Sequence, residues 1–296
     1  MLSGKIYSII VFSGLIVVAL LGLFFLKPAI FAQSSFSGLV RAVDGNDVVD
    51  LKTAVEQNSQ LKNNLKWTFG NKQQTGWYLY TYLIQHLIET EAAPDTEKFA
   101  LAVTKWQKKS KLEPNGILDE TTLFSMIKWW QSQRLNSSAY PEESELLTAP
   151  IADFYDPTRD VALLKVKRDA YTAYKKMVAA AIKDKSLKLK ADKSGQLTAD
   201  EKFLKIISAF RSREYQEKLR QQSPNSGRAG LALNSPHFTG CALDIYVGGE
   251  PVSTKDENRV IQIETPVYQW LVKNAEKFGF YPYYYEPWHW EYAPKK

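Results

Sequence analysis

The stretch Ser235-Pro236-His237-Phe238-Thr239-Gly240-Cys241-Ala242-Leu243-Asp244-Ile245-Tyr246-Val247 changes character at Gly240. Beyond it the residues alternate. Cys241, Leu243, Ile245 and Val247 fall on one face of an extended chain, and Ala242, Asp244 and Tyr246 on the other. That period predicts a strand. Aspartate is poorly suited to a strand interior, so Asp244 needs a reason to be there, and a metal ion on its face supplies one. His237 follows Pro236 and precedes Gly240, which places it in a loop leading into the strand. Gly240 lets the chain bend, so that His237 and Asp244 can converge despite their odd spacing.

A second phrase makes a similar demand. Glu286-Pro287-Trp288-His289-Trp290 holds another of the three histidines in the chain. In a regular strand Glu286 and His289 would face opposite sides. Pro287 removes a donor and restricts Glu286 to extended backbone. With ~3 residues per polyproline turn, positions 286 and 289 return to one side. Tyr283, Tyr284, Tyr285, Trp288 and Trp290 can wall the site and limit water. Two imidazoles and a carboxylate can hold a catalytic zinc with one position open for water. A further carboxylate beside them can act as general base. Taken singly, each residue has a plainer reading: a packed histidine, an edge aspartate, an aromatic core. His86 has no potential ligand at helical spacing and reads as a structural or surface residue.

The whole chain bounds these readings. Its 296 residues suggest about two domains at ~150 residues each. Lys and Arg number 38 against 32 Asp and Glu, a net +6 that suits anionic polymers or lipid headgroups. No basic run interleaves with aromatics in a nucleic-acid motif, so nucleic acid is not an expected partner. Cys241 is the lone cysteine, which excludes an intramolecular disulfide and reads as a small core residue. Residues 6–26 form an uncharged apolar run between Lys5 and Lys27. At ~1.5 Å per residue it would cross a ~30 Å hydrocarbon layer. Residues 1–27 are therefore expected to be a signal anchor or transmembrane helix, although a cleaved signal ending near Ala32 stays open.

Residues 28–50 and 136–157 read as linkers. Between them, 51–135 reads as a small helical domain. Phe99, Val103 and Trp106 share one helix face, Pro114-Asn115-Gly116 is a turn, and Asp119 caps a helix carrying Leu123, Ile127 and Trp130. Residues 158–296 suffice for one compact domain, expected to open with a helix from Asp160 to Ile182. The lysines between 183 and 193 read as a solvated face. Asp192 to Glu201 looks like part of a calcium loop, but Lys190 occupies the first ligand position and would repel the ion. A helix starting at Thr198 with Glu201 as capping partner is expected instead.

The phrases quoted above resemble the D-alanyl-D-alanine carboxypeptidase family (VanY-like), a branch of the LAS zinc metallopeptidases. Its pattern is S-x-H-x-x-G-x-A-x-D followed by E-x-W-H. Ser235, His237, Gly240, Ala242 and Asp244 fit the first part, and Glu286, Trp288 and His289 the second. Ile207-Ser208-Ala209-Phe210-Arg211-Ser212 with Gln216 is similar to the family's "SGYRS…Q" segment. The resemblance spans about 160–292. It implies an α+β fold, a small antiparallel sheet packed by helices. It implies zinc on His237, Asp244 and His289, Glu286 as base, and Arg211 as a catalytic and substrate contact, with Ser235 and Gln216 also toward the substrate. Phe238, Cys241 and Glu291 depart from the family, Glu291 where arginine is common.

Residues 77–133 resemble the peptidoglycan-binding module, whose "FQ…GL…G…T" pattern is met by Trp106-Gln107, Leu112, Gly116, Asp119 and Thr122. Trp106 replaces the usual Phe, and Ser110-Lys111 stands where a Gly normally precedes the Leu. Together these resemblances imply an enzyme that trims peptidoglycan, and with the apolar run at 6–26 the expectation is a membrane-held protein with extracytoplasmic domains. A D,D-dipeptidase, an L,D-carboxypeptidase, an endopeptidase, or a non-catalytic wall-binding protein with a structural zinc remain open. So does the oligomeric state.

Overall fold

The computed structural model describes residues 40–42, 48–70, 72–136, 139–222 and 235–294. The expected anchor at 1–27 lies outside the described residues. Among the described residues, no helix is long and apolar enough to cross a membrane. The chain divides into two compact units. One comprises the described residues up to Tyr78 together with Leu87–Ser125, and the other Leu79–His86 together with the described residues from Met126 on.

The first unit begins with β1 (Val40–Ala42) paired antiparallel with β2 (Val48–Asp50). Asp50 ends that strand and caps α1 (Leu51–Asn64), accepting from the Thr53 N–H at 3.1 Å. A hairpin follows, β3 (Lys66–Phe69) with β4 (Lys72–Thr75), where helices alone were expected. Next along the chain come α2 (Thr81–Leu87), which falls in the other unit up to His86, α3 (Glu97–Lys109), which belongs to this one, and α4 (Glu120–Gln133), which belongs to the other unit from Met126 on. Phe99, Val103 and Trp106 are buried on α3 as their spacing requires. Gln107 organises the turn after it. Its Nε2 is shared among Asn115 Oδ1 (2.9 Å), Ile117 O (3.0 Å) and Thr122 Oγ1 (3.0 Å), and its Oε1 accepts from Gly116 N at 2.8 Å. The Gln, Gly and Thr of the module's pattern thus hold one another, which is reason enough for their spacing.

The second unit is α+β. Strand β5 (Leu146–Thr148) pairs with β6 (Lys165–Lys167), followed by α5 (Arg168–Lys183). The helix expected from Asp160 therefore starts later. Asp160 caps a single tight turn at Val161–Leu163, and Val166, fully buried, belongs to a strand. Along α5, Ala170, Tyr174, Met177 and Ala181 are buried at helical spacing. No helix forms at Thr198: Glu201 accepts instead from the backbone of Lys190, Lys202 and Phe203.

The remaining elements are β7 (Ile206–Ser208), α6 (Arg213–Gln222), β8 (Ala242–Ile245), α7 (Asp256–Ile263), α8 (Pro266–Asn274), β9 (Phe280–Pro282) and β10 (His289–Tyr292). Four strands make an antiparallel sheet in the order β7-β8-β10-β9. Its register decides the site. Asp244 lies opposite His289 on one side and Ser208 on the other, so three polar residues form a row across the sheet. Neighbouring Leu243 and Trp290 point to the reverse face, where Trp290 meets Tyr268 of α8 edge-on at 6.4 Å.

Candidate metal centre

His237 reaches the row from a tight turn, Pro236–Thr239, which Ser235 caps by accepting the His237 N–H at 3.4 Å. The turn ends on Gly240 at φ +70°, where a Cβ would press on Lys167 at 3.1 Å. Only glycine fits that bend comfortably, and the bend delivers His237 over the start of β8.

The other arm arrives differently from the polyproline geometry expected at Pro287. The His289 N–H donates to Glu286 O at 2.9 Å, closing a β-turn, and the Glu286 N–H closes another on Tyr283 O at 3.1 Å. Proline suits the second position of such a turn. The turn, rather than an extended twist, brings 286 and 289 into one neighbourhood.

His237, Asp244 and His289 each offer one potential ligand atom, these atoms all lie within 4.8 Å of one another, and all three residues are buried. His237 Nε2 stands 3.2 Å from Asp244 Oδ2, and His289 Nδ1 2.9 Å from Asp244 Oδ1. Each imidazole is fixed by its other nitrogen. His237 Nδ1 donates to the Ala209 carbonyl at 2.7 Å, which leaves a lone pair on Nε2. His289 Nε2 donates to Glu291 Oε1 at 3.1 Å, which presents Nδ1 to the cluster. Metal-binding histidines have this bonding pattern.

His237 Nε2 carries the sharpest signal. It is fully buried and forms no hydrogen bond among the described residues, despite its closeness to Asp244. Burial, with the Arg211 charge, lowers the His237 pKa to about 4, so the nitrogen is an unprotonated donor at neutral pH. Burial alone would also depress His289, but Asp244 and Glu291 outweigh it and push its pKa up to about 9. Asp244 stays ionised: burial works against the charge, and the two imidazoles overcome that and hold the pKa far below the usual carboxylate range.

Two nitrogens and a carboxylate oxygen converging at these separations suit zinc, whose ~2.0–2.2 Å bonds set neighbouring ligands ~3.3 Å apart. Arg211 is itself buried. It donates to Asp244 Oδ2 and to Ser208 Oγ, both at 3.0 Å, and its backbone N–H donates to His237 O at 3.2 Å. Its Nη1 has no hydrogen-bond partner among the described residues, and neither polar atom of the buried Gln216 on α6 has one. Glu286 is buried, with its charge acting on Arg211 and Tyr283. Ser235 is buried as the turn's cap.

Glu291 was noted in the sequence only as an unusual residue at its position. Its function as the acceptor for His289 was missed. The available signal was the H-x-E spacing on a strand, which puts both side chains on one face. Arg134, which binds Glu291, gave no local signal at all.

Residues 163–295 match the VanY family model, described as D-alanyl-D-alanine carboxypeptidase. A search of curated proteins found no match to the chain.

Proposed function

Because residues 163–295 are a VanY-family domain, we propose that this chain is a zinc-dependent D-alanyl-D-alanine carboxypeptidase that trims peptidoglycan stem peptides. The observation that carries the reading is the buried His237 Nε2, without a hydrogen-bond partner among the described residues and 3.2 Å from Asp244 Oδ2, beside His289. Zinc held by His237 Nε2, Asp244 and His289 Nδ1 would supply Lewis acidity and a water acidified toward ~7.

The chain's own residues supply the rest. Glu286 takes the proton of the attacking water and returns it to the leaving amine nitrogen. The Arg211 guanidinium locks Asp244 with one nitrogen and keeps Nη1 for substrate oxygen, as a fixed positive charge. Gln216 and Ser235 are the further substrate contacts in this reading. The buried Tyr283, Tyr284, Tyr285 and Trp288 exclude bulk water around Glu286. The apolar run at 6–26 would hold the protein in a membrane with its domains on the wall side. The N-terminal unit would raise the local concentration of wall around the enzyme.

The test is mass spectrometry of muropeptides after digestion by the wild type and by Glu286→Ala. The wild type should release D-alanine. The variant should keep its zinc and lose about 100- to 10,000-fold in rate, the range for a general base. Release of a dipeptide, or cleavage of a cross-link, would reassign the bond. Zinc bound in both proteins with no peptide trimmed by either would leave a structural zinc and no enzyme.

A further inference from the structure

Two charged residues near the centre have no part in the chemistry above. Glu291 is 1% exposed on β10, facing the same way as His289. Its Oε1 accepts from His289 Nε2 at 3.1 Å, and its Oε2 accepts from the Leu135 N–H at 3.0 Å. Arg134 closes on the same carboxylate through Nη2, and through Nε at 3.1 Å. The guanidinium is itself tethered, with Nη1 donating to Gln131 Oε1 at 2.7 Å. Its flat face lies over the Tyr283 ring at 4.1 Å, and that ring meets His289 edge-on at 6.0 Å. Arg134 therefore bears on two of the neighbours of the His289 ring, Glu291 and Tyr283, while Asp244 holds its Nδ1.

Arg134 and Leu135 stand just past the end of α4, outside the segment that matches the VanY family. Opposite Glu291 on β8 sits Ala242, whose small side chain leaves the carboxylate room. We infer that Glu291 and Arg134 are positioning residues, a carboxylate-guanidinium pair that orients His289 toward the metal and makes the centre depend on a part of the chain beyond the family domain. The inference rests on the zinc reading above.

The experiment uses the full chain. Zinc affinity is measured by competition with a chromophoric chelator, and ligand geometry by the visible absorption of the cobalt-loaded protein. Glu291→Ala and Arg134→Met are each expected to weaken zinc by about 10- to 100-fold, the usual effect of losing a ligand's outer partner, and to alter the cobalt spectrum. Glu291→Gln keeps an acceptor oxygen for His289 Nε2 and should restore most of the affinity. Glu291→Asp keeps the charge but falls one carbon short, and should not. Lys175→Met, which breaks the separate Lys175–Asp153 ion pair, should leave both readouts unchanged.

A merely structural pair would lower the melting temperature of Glu291→Ala while leaving affinity and spectrum as in the wild type, and that result overturns the inference. Full affinity in Glu291→Asp would overturn it too, even if Arg134→Met fails to fold. Wild-type protein that binds no zinc, or binds it as well after His289→Ala, would instead bring down the function proposed above and this inference with it.

Discussion

His237 and His289 are held by different partners, and the difference matters at the scale of single residues. A neutral carbonyl, Ala209 O, orients His237, whereas the Glu291 carboxylate orients His289. A carboxylate makes its imidazole more electron-rich, so His237 Nε2 and His289 Nδ1 would be unequal donors to the proposed zinc. Arg211 balances the resulting negative charge. It bonds Asp244 at Oδ2, the oxygen that also faces His237 Nε2, and is itself 1% exposed. Removing one partner of a buried ion pair leaves the other charge uncompensated, typically at about 3–5 kcal/mol. Arg211→Met is therefore expected to lose about that much stability in the metal-free protein, measured by urea unfolding in chelator. Arg211→Lys should recover only part, because one ammonium does not reproduce the fork that spans Ser208 and Asp244. A loss below ~1 kcal/mol, the value of an exposed pair, would mean that the imidazoles satisfy Asp244 unaided.

Among elements, the pairing of β8 with β10 does most to build the centre. It sets Asp244 against His289 and Ala242 against Glu291. Side chains directly opposite on one face stand ~4.5–5.5 Å apart at Cβ, so a large residue at 242 would collide with the Glu291 carboxylate. Ala242→Leu should lose about 1–3 kcal/mol from overpacking and bind zinc more weakly than the wild type. Unchanged affinity at reduced stability would show that Glu291 can yield without moving His289. This strand was legible in the sequence because the alternation from Cys241 to Val247 is local. The turn at Pro287 was only half legible. Proline favours both a polyproline path and the second position of a β-turn, and the bond from His289 N–H to Glu286 O decides between them. Strand β6 was hidden because its partner β5 is distant in sequence and its outer positions are lysines, which read equally well as the polar face of a helix. The Arg134–Glu291 pair joins residues 157 positions apart, a separation no local pattern encodes.

At the scale of the molecule, membership of the two units does not follow chain order. Leu79–His86 belongs with the C-terminal unit, and the chain returns to the first unit from Leu87 to Ser125 before Met126. Those early residues contribute to the aromatic wall. Tyr80 lies against Tyr284 with ring centroids 5.6 Å apart, and its hydroxyl accepts from the buried Arg259 at 2.9 Å. Trp130 stacks on Tyr284 at 6.1 Å, and Arg134 holds Glu291. A fragment limited to residues 163–295 would lack all three. An aromatic side chain buries roughly 150–250 Å², about 4–6 kcal/mol at ~25 cal/mol per Å². Losing two such rings and the partner of a buried carboxylate approaches the whole net stability of a domain, ~5–15 kcal/mol. The 163–295 fragment is thus expected to show no cooperative thermal transition and no tight zinc binding, whereas residues 48–296 should show both. Circular dichroism melts with and without zinc would check this. A fragment that melts cooperatively and takes up zinc as the longer chain does would show that the family domain closes its own core, and that the upstream residues are packed on it without supporting it.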